Sequence, residues 1–359
     1  MFRGFFGFKS VKNETKRKQI YAISRNENLE KEKKRKYEQE QVDLKSKFNF
    51  RAELLGKKIA ALKIRIDSSK SLTNAIPYLI DVLKKRKADC TIFVSSGKCG
   101  SGENIFSLLN PLFYKEIVNS RKLKAEGFDT VFSGILLPKK DIIQPQGMEI
   151  LKEIKENKGF DLGTGCFSPP VWIKGVLKRD EEVISMLYNL SIEEFEKVFG
   201  TKCSSFSAPS FFCSNATMLE KENFYFDYSS DCRGTDPFFP VIDTKVLKTP
   251  QVPVTLPLIS EWLCSHDKNP ESFFKYILEE IEKQKYPVYE ILPPYEGMLY
   301  KEEFEKFLDE ASKRGIIFIS LRELLGLKIA EDKPLPRCTL SYGLVEGRRQ
   351  FATIQMFEV

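Results

Sequence analysis

From Leu62 to Leu325 short apolar runs and amphipathic stretches follow one another in regular succession, and this order narrows the fold more than any other feature of the chain. LKIRI, ending at Asp67, is strand-sized. The next stretch places Leu72, Ile76, Leu79, Ile80 and Leu83 on one helical face, with Pro77 set to kink or delay the helix. CTIFVSS is a second strand. Further on, EILKEIKENK precedes the strand-like GFDLG, a helix around Ile192 to Phe199 precedes CSSFSAP, FFKYILEEIEKQ precedes PVYEIL, and EEFEKFLDEASKRG precedes IIFIS. Strands that alternate with helices predict a parallel sheet, and repetition over this length predicts a β/α barrel. No tandem repeat is visible. Residues 62–325 are therefore read as the barrel, 1–61 as a basic, helical N-terminal extension and 326–359, with Pro334 and Pro336, as a C-terminal extension.

Charge separates the first segment from the rest. Residues 1–60 hold 17 Lys/Arg and 8 Asp/Glu, whereas the remainder holds 40 basic and 42 acidic residues. A basic arm carrying Phe2, Phe5, Phe6 and Phe8 is expected to meet RNA, an anionic lipid surface or protein, with a solvated charged helix from Asn26 to Ala61 as the plain alternative. No apolar run approaches the roughly 20 residues needed to cross a bilayer, so no membrane span is expected. The 8 cysteines show no Cys-x-x-Cys pair, which points to a reducing intracellular compartment, a mitochondrial matrix in preference to a bacterial cytoplasm. SSGKCGSG lacks the spacing of a phosphate-binding P-loop.

Strand ends in barrels of this kind carry the chemistry, because loops converge at the carboxyl face. Read in order, LKIRID, CTIFVSSGKCGSGENIFSLLNPLF, YSSDCRG with DPFFPV, QVPVTLP, PVYEILPPYEG and IIFISLRELL resemble successive motifs of the polysaccharide deacetylase (NodB-homology) superfamily, on its formyl-aminoarabinose-phosphoundecaprenol deformylase branch. The resemblance implies a distorted (β/α) barrel that holds zinc through an Asp-His-His triad, with an aspartate as base and a late histidine as acid. Such a cation acidifies bound water and polarises the amide carbonyl.

Carried over position by position, the resemblance retains the base position at Asp67, but Ser69, Gly163 and Phe167 stand at the metal-ligand positions and Leu292 at that of the acid. The chain has a single histidine, His266, outside every motif. The expectation is therefore a barrel that has lost its zinc and needs no cofactor. Such a pseudoenzyme would serve as a structural or accessory subunit with protein partners in a larger assembly. Two alternatives stand beside it: a non-catalytic binder of a polyprenyl-phosphate sugar or anionic glycan, with Arg233 and Asp231 as anion-binding residues, and a deacetylase or deformylase with a rearranged site. Asp67 reads more readily as a helix cap or a structural partner of Arg65 or Arg233 than as a base, and Cys166 as a packed core residue rather than part of a new site with Asp67 and Asp231.

Overall fold

The computed structural model describes residues 45–100, 111–331 and 333–359. The chain divides into two units, Met1–Asn49 and Phe50–Val359. The expected helical arm lies, up to residue 44, outside the described residues. Beyond it residues 52–54 form one 3-10 turn, and the first strand opens at Ile59, earlier than the expected Leu62.

The second unit is built on strands β1 (Ile59–Ile66), β2 (Cys90–Val94), β3 (Phe160–Gly165), β4 (Ser205–Ser207), β5 (Tyr228–Ser229), β6 (Phe239–Ile242), β7 (Lys245–Val246), β8 (Val288–Ile291), β9 (Ile317–Ile319), β10 (Arg337–Leu344) and β11 (Phe351–Glu358). Its helices are α1 (Ile76–Lys85), α2 (Pro111–Asn119), α3 (Lys122–Glu126), α4 (Phe128–Val131), α5 (Pro145–Glu156), α6 (Pro169–Lys178), α7 (Glu181–Phe199), α8 (Asn215–Lys221), α9 (Ile259–Ser265), α10 (Pro270–Lys283), α11 (Lys301–Lys313) and α12 (Leu321–Ala330). The parallel strands run in the order β5-β4-β3-β2-β1-β8, and β9 pairs with the first residues of β1. Between the two edges passes the segment from Gln251 to Leu256. Val252 donates to the Ser229 carbonyl at 2.8 Å and Leu256 to that of Val288 at 3.2 Å, so the curled sheet is bridged into the distorted barrel the sequence implies.

Local chemistry sets the boundaries. Pro77 does not delay the helix: residues 69–70 are already helical, residues 71–75 widen into a π turn, and α1 continues from Ile76, so the proline follows a π bulge, a common companion of an interrupted hydrogen-bond ladder. Asp180 caps α7 by accepting from the Val183 N–H, and Gly200 ends it in the left-handed conformation that a side chain resists. Every residue of β1 and β2 is buried, the pattern of central strands covered on both faces. The core runs from Trp172, Tyr188 and Phe206, whose rings lie 4.8–5.4 Å apart, to Phe273, Phe274, Phe307 and Tyr289 under α10 and α11. Residues 337–358 fold back as the hairpin β10-β11, which pairs through β10 with β6 in a second, four-stranded sheet. No helix among the described residues is long and apolar enough to cross a membrane.

One buried acid makes the fold pH-sensitive. Glu296, wholly buried in the turn after β8, accepts from the Leu292 N–H at 3.0 Å and from the Tyr289 hydroxyl. Burial pushes its carboxyl up to about 8. The folded chain then keeps a proton that the unfolded chain has released, so stability falls as pH rises from the ordinary carboxyl range towards about 8, by roughly 1.4 kcal/mol for each unit the two values differ. Glu296→Gln keeps both neighbours satisfied. Its urea midpoint is expected to be flatter with pH than the parent's across this window, and equal slopes would refute the assignment.

Candidate functional site

A cleft of about 300 Å³ opens at the carboxyl ends of β1 and β8, walled by residues from α2 to α4, the loop after β4 and the turn between β10 and β11. Its charged lining comprises Arg65, Asp67, Glu116, Lys122, Glu126, Glu261, Glu290, Arg348 and Arg349.

Asp67 follows the last residue of β1 and is held from two sides. Arg65 donates to its Oδ2 through Nε at 3.0 Å and through Nη2, while the Ser95 hydroxyl donates to Oδ1 at 2.7 Å. Arg65 itself is fixed by the Ala208 carbonyl at 2.6 Å. About a third of the Asp67 side chain remains exposed, so it stays open to the cleft. Glu126, the last residue of α3, makes no hydrogen bond or ion pair among the described residues. Burial pushes its carboxyl up; Lys122 opposes this and the charge of Asp67 adds to it. The cleft thus holds one carboxyl clamped by donors and another whose titration burial pushes up.

A second feature centres on Phe211, where Ser210 and Phe211 both have positive φ, 55° and 54°. The guanidinium groups of Arg233 and Arg348 each lie 5.3 Å from the Phe211 ring and the Lys63 ammonium 5.1 Å from it. Glu261 bridges the two arginines, at 3.6 Å from Arg233 and 3.2 Å from Arg348, and Arg348 also donates to the Ser210 carbonyl at 3.0 Å. These bonds hold a non-glycine turn in a conformation costing on the order of 1–3 kcal/mol per residue. The Nε of Arg348 is buried and donates to nothing among the described residues, and the residue lines the cleft.

The residues singled out by sequence are distributed differently. Asp67 and Leu292 line the cleft; Ser69, Gly163 and Phe167 do not. A Cβ at Gly163 would come 2.4 Å from the Ser205 hydroxyl and 2.5 Å from the Phe93 ring, so that position has no room for a ligating side chain. Phe167 lines a separate groove with Ser96, Ile143, Met148 and Val171. Cys166 is buried, and desolvation pushes its thiol up. Arg233 and Asp231 also lie off the cleft: Asp231 is ion-paired with Lys221, and Arg233 with Glu261. A zinc ion of the kind the resemblance implies needs three converging donors, and among the described residues no three His, Cys, Asp or Glu are so placed. The described donor set does not fit that metal. Glu126 and Arg348 were missed by motif reading: Glu126 stands in a stretch without a family motif, and Arg348 in the tail read as an extension, where the paired arginines at 348 and 349 were the available signal.

In fold the chain is similar to polysaccharide deacetylases, and in sequence to proteins named as formamido-arabinose deformylases. It is 28% identical over 276 residues to a protein of Wigglesworthia glossinidia brevipalpis named probable 4-deoxy-4-formamido-L-arabinose-phosphoundecaprenol deformylase, covering 76% of this chain and 94% of that one. A Shewanella sediminis protein of the same name is 26% identical over 270 residues, covering 74% and 85%. A crystal structure from Mycobacterium smegmatis, described as a candidate polysaccharide deacetylase, superposes with a TM-score of 0.52 at 12% identity over 78% of this chain and 93% of that one, a likeness of fold. No protein-family model matches. These relatives correct the expectation of a degenerate accessory subunit: the proteins that the chain parallels over most of their length are named as deformylases, and nothing in them indicates lost chemistry or an accessory role. That expectation reads lost histidines as lost chemistry and ranks a hydrolase with a rearranged site behind it. Both relatives are bacterial, and they give a mitochondrial location no support.

Proposed function

We propose that the protein hydrolyses a formyl or acetyl amide on an amino sugar carried by a polyprenyl phosphate, using the carboxyls of Asp67 and Glu126. The observation that carries this reading is the cleft at the carboxyl ends of β1 and β8, in which both side chains stand, in a chain similar to named deformylases over nearly their whole length. Asp67 takes a proton from water as its oxygen bonds to the amide carbon. The oxyanion that forms meets a guanidinium, for which Arg348 in the cleft lining is the candidate. Glu126 gives its proton to the sugar nitrogen as the C–N bond breaks, so that one amide and one water yield an amine and formate or acetate. No step passes through a metal, because the donors described in the cleft do not converge on one.

The direct test supplies the full chain with 4-deoxy-4-formamido-L-arabinosyl phosphoundecaprenol and follows formate, with and without a strong chelator. Release that persists in chelator is expected. Release that the chelator abolishes would overturn the carboxyl pair, and no release where the Shewanella sediminis relative is active would overturn the hydrolase.

A further inference from the structure

The wall of the cleft formed by α2, α3 and α4 has a second side. Phe113, Ile117 and Val131 face inward, line the cleft and form a small core with Phe132 and Ile135. On the outer side Leu112, Tyr114, Val118, Leu123, Phe128 and Leu136 are exposed, Val118 by 67% and Phe128 by 55%. The aromatic rings are continuous from one side to the other: Tyr114 lies 5.6 Å from Phe113, Phe113 6.5 Å from Phe132, and Phe132 4.4 Å from Phe128. Five of these large apolar side chains stand on the three short connected helices and Leu136 just beyond them, more than a water-facing surface needs.

Charge decides what covers it. Residues 111–140 carry six basic side chains, Lys115, Arg121, Lys122, Lys124, Lys139 and Lys140, against three acids, Glu116, Glu126 and Asp129. Of these, Arg121 donates to the Tyr300 hydroxyl, Lys122, Glu116 and Glu126 line the cleft, and Lys140 is paired with Asp129, so the basic character of the outer side rests on the exposed Lys115, Lys124 and Lys139. The other exposed apolar region, Leu344, Phe351 and Phe357 on the β10-β11 hairpin, has no such rim: of its three arginines, Arg348 and Arg349 are turned into pairs with Glu261 and Glu116. Apolar side chains ringed by lysines are the signature of a surface that lies in the headgroup region of an anionic bilayer.

We propose that the outer face of α2–α4 docks the protein on an anionic lipid bilayer and holds the cleft, one helix away, at headgroup level. That a lipid-linked sugar is what the cleft then receives rests on the hydrolase reading; the docking itself does not.

The test is sedimentation of the full chain with vesicles of phosphatidylglycerol and phosphatidylethanolamine in roughly equal parts, with phosphatidylcholine vesicles for comparison. Binding is expected to the first and not the second, and to weaken as salt is raised. Val118→Glu with Phe128→Glu should weaken it by about tenfold or more, while Leu344→Glu with Phe357→Glu leaves it unchanged. Lys115→Glu with Lys124→Glu, at exposed positions, gives the same loss and serves should the first pair fail to fold. Wild-type binding by both α2–α4 variants, or loss in the hairpin variant instead, would overturn the proposal and assign the membrane contact to another segment. Equal binding to phosphatidylcholine would overturn it as well. Because sedimentation needs no catalysis, absent hydrolysis with intact vesicle binding counts against the hydrolase alone.

Discussion

Lys221→Met is expected to lower stability by about 3–5 kcal/mol, read as a fall in the urea midpoint, because it strands a buried carboxylate. Lys221 and Asp231 are both almost wholly buried and ion-paired. The ammonium also donates to the Ser229 hydroxyl at 2.9 Å, and Asp231 accepts from the Ala208 N–H at 2.7 Å and from Gln251 Nε2 at 3.0 Å. Taking both charges out of water is costly, so the pair as a whole adds little stability; removal of one partner exposes the full cost of the other. Lys221→Met combined with Asp231→Asn should therefore be more stable than Lys221→Met alone. If the double variant is the less stable of the two, the pair is not what holds this region together. The consequence reaches the cleft, since Asp231 fixes Ala208, whose carbonyl fixes Arg65, whose guanidinium clamps Asp67.

That chain of contacts explains what was legible in the sequence. The barrel was readable because its strands are continuous apolar runs, LKIRI and CTIFV, whose burial on both faces leaves no polar alternation to confuse them. Position Asp67 was readable because a strand's end falls on the carboxyl face whatever the loops do. Arg233 and Asp231 stand in one motif with Cys232 and look like a ligand loop; only the fold reveals that Lys221 and Glu261, distant in sequence, already hold their charges. Gly163 shows the reverse. Its lack of a side chain reads as a lost ligand, whereas in the fold the position is filled by Phe93 and Ser205. Glu126 and Arg348 were invisible for a common reason: each enters the cleft from a segment outside the strand-helix repeat, one before α4 and one in the turn between β10 and β11, and no periodicity aims such segments.

Chemistry in the cleft is expected to depend on Asp67 far more steeply than stability does. Asp67→Asn keeps the size and the Ser95 contact but turns an amide NH2 towards Arg65, which keeps the Ala208 carbonyl as a partner, so some stability is lost and the urea midpoint shows whether the fold survives. What is lost is the proton acceptor, and kcat/KM for formate release should fall by about 10²–10⁴-fold. Glu126→Gln removes the proton donor and should lower kcat by about 10²-fold while leaving KM near the parent's. Its pH profile separates this role from a packing role. Burial raises the Glu126 carboxyl, which therefore stays protonated to higher pH than an exposed one, and the parent's rate should decline on the alkaline side as that proton is lost. Glu126→Gln cannot lose a proton there, so its slower rate should show no such decline. An unchanged alkaline limb in Glu126→Gln would assign it to another group, and undiminished release by Asp67→Asn would remove Asp67 as the base.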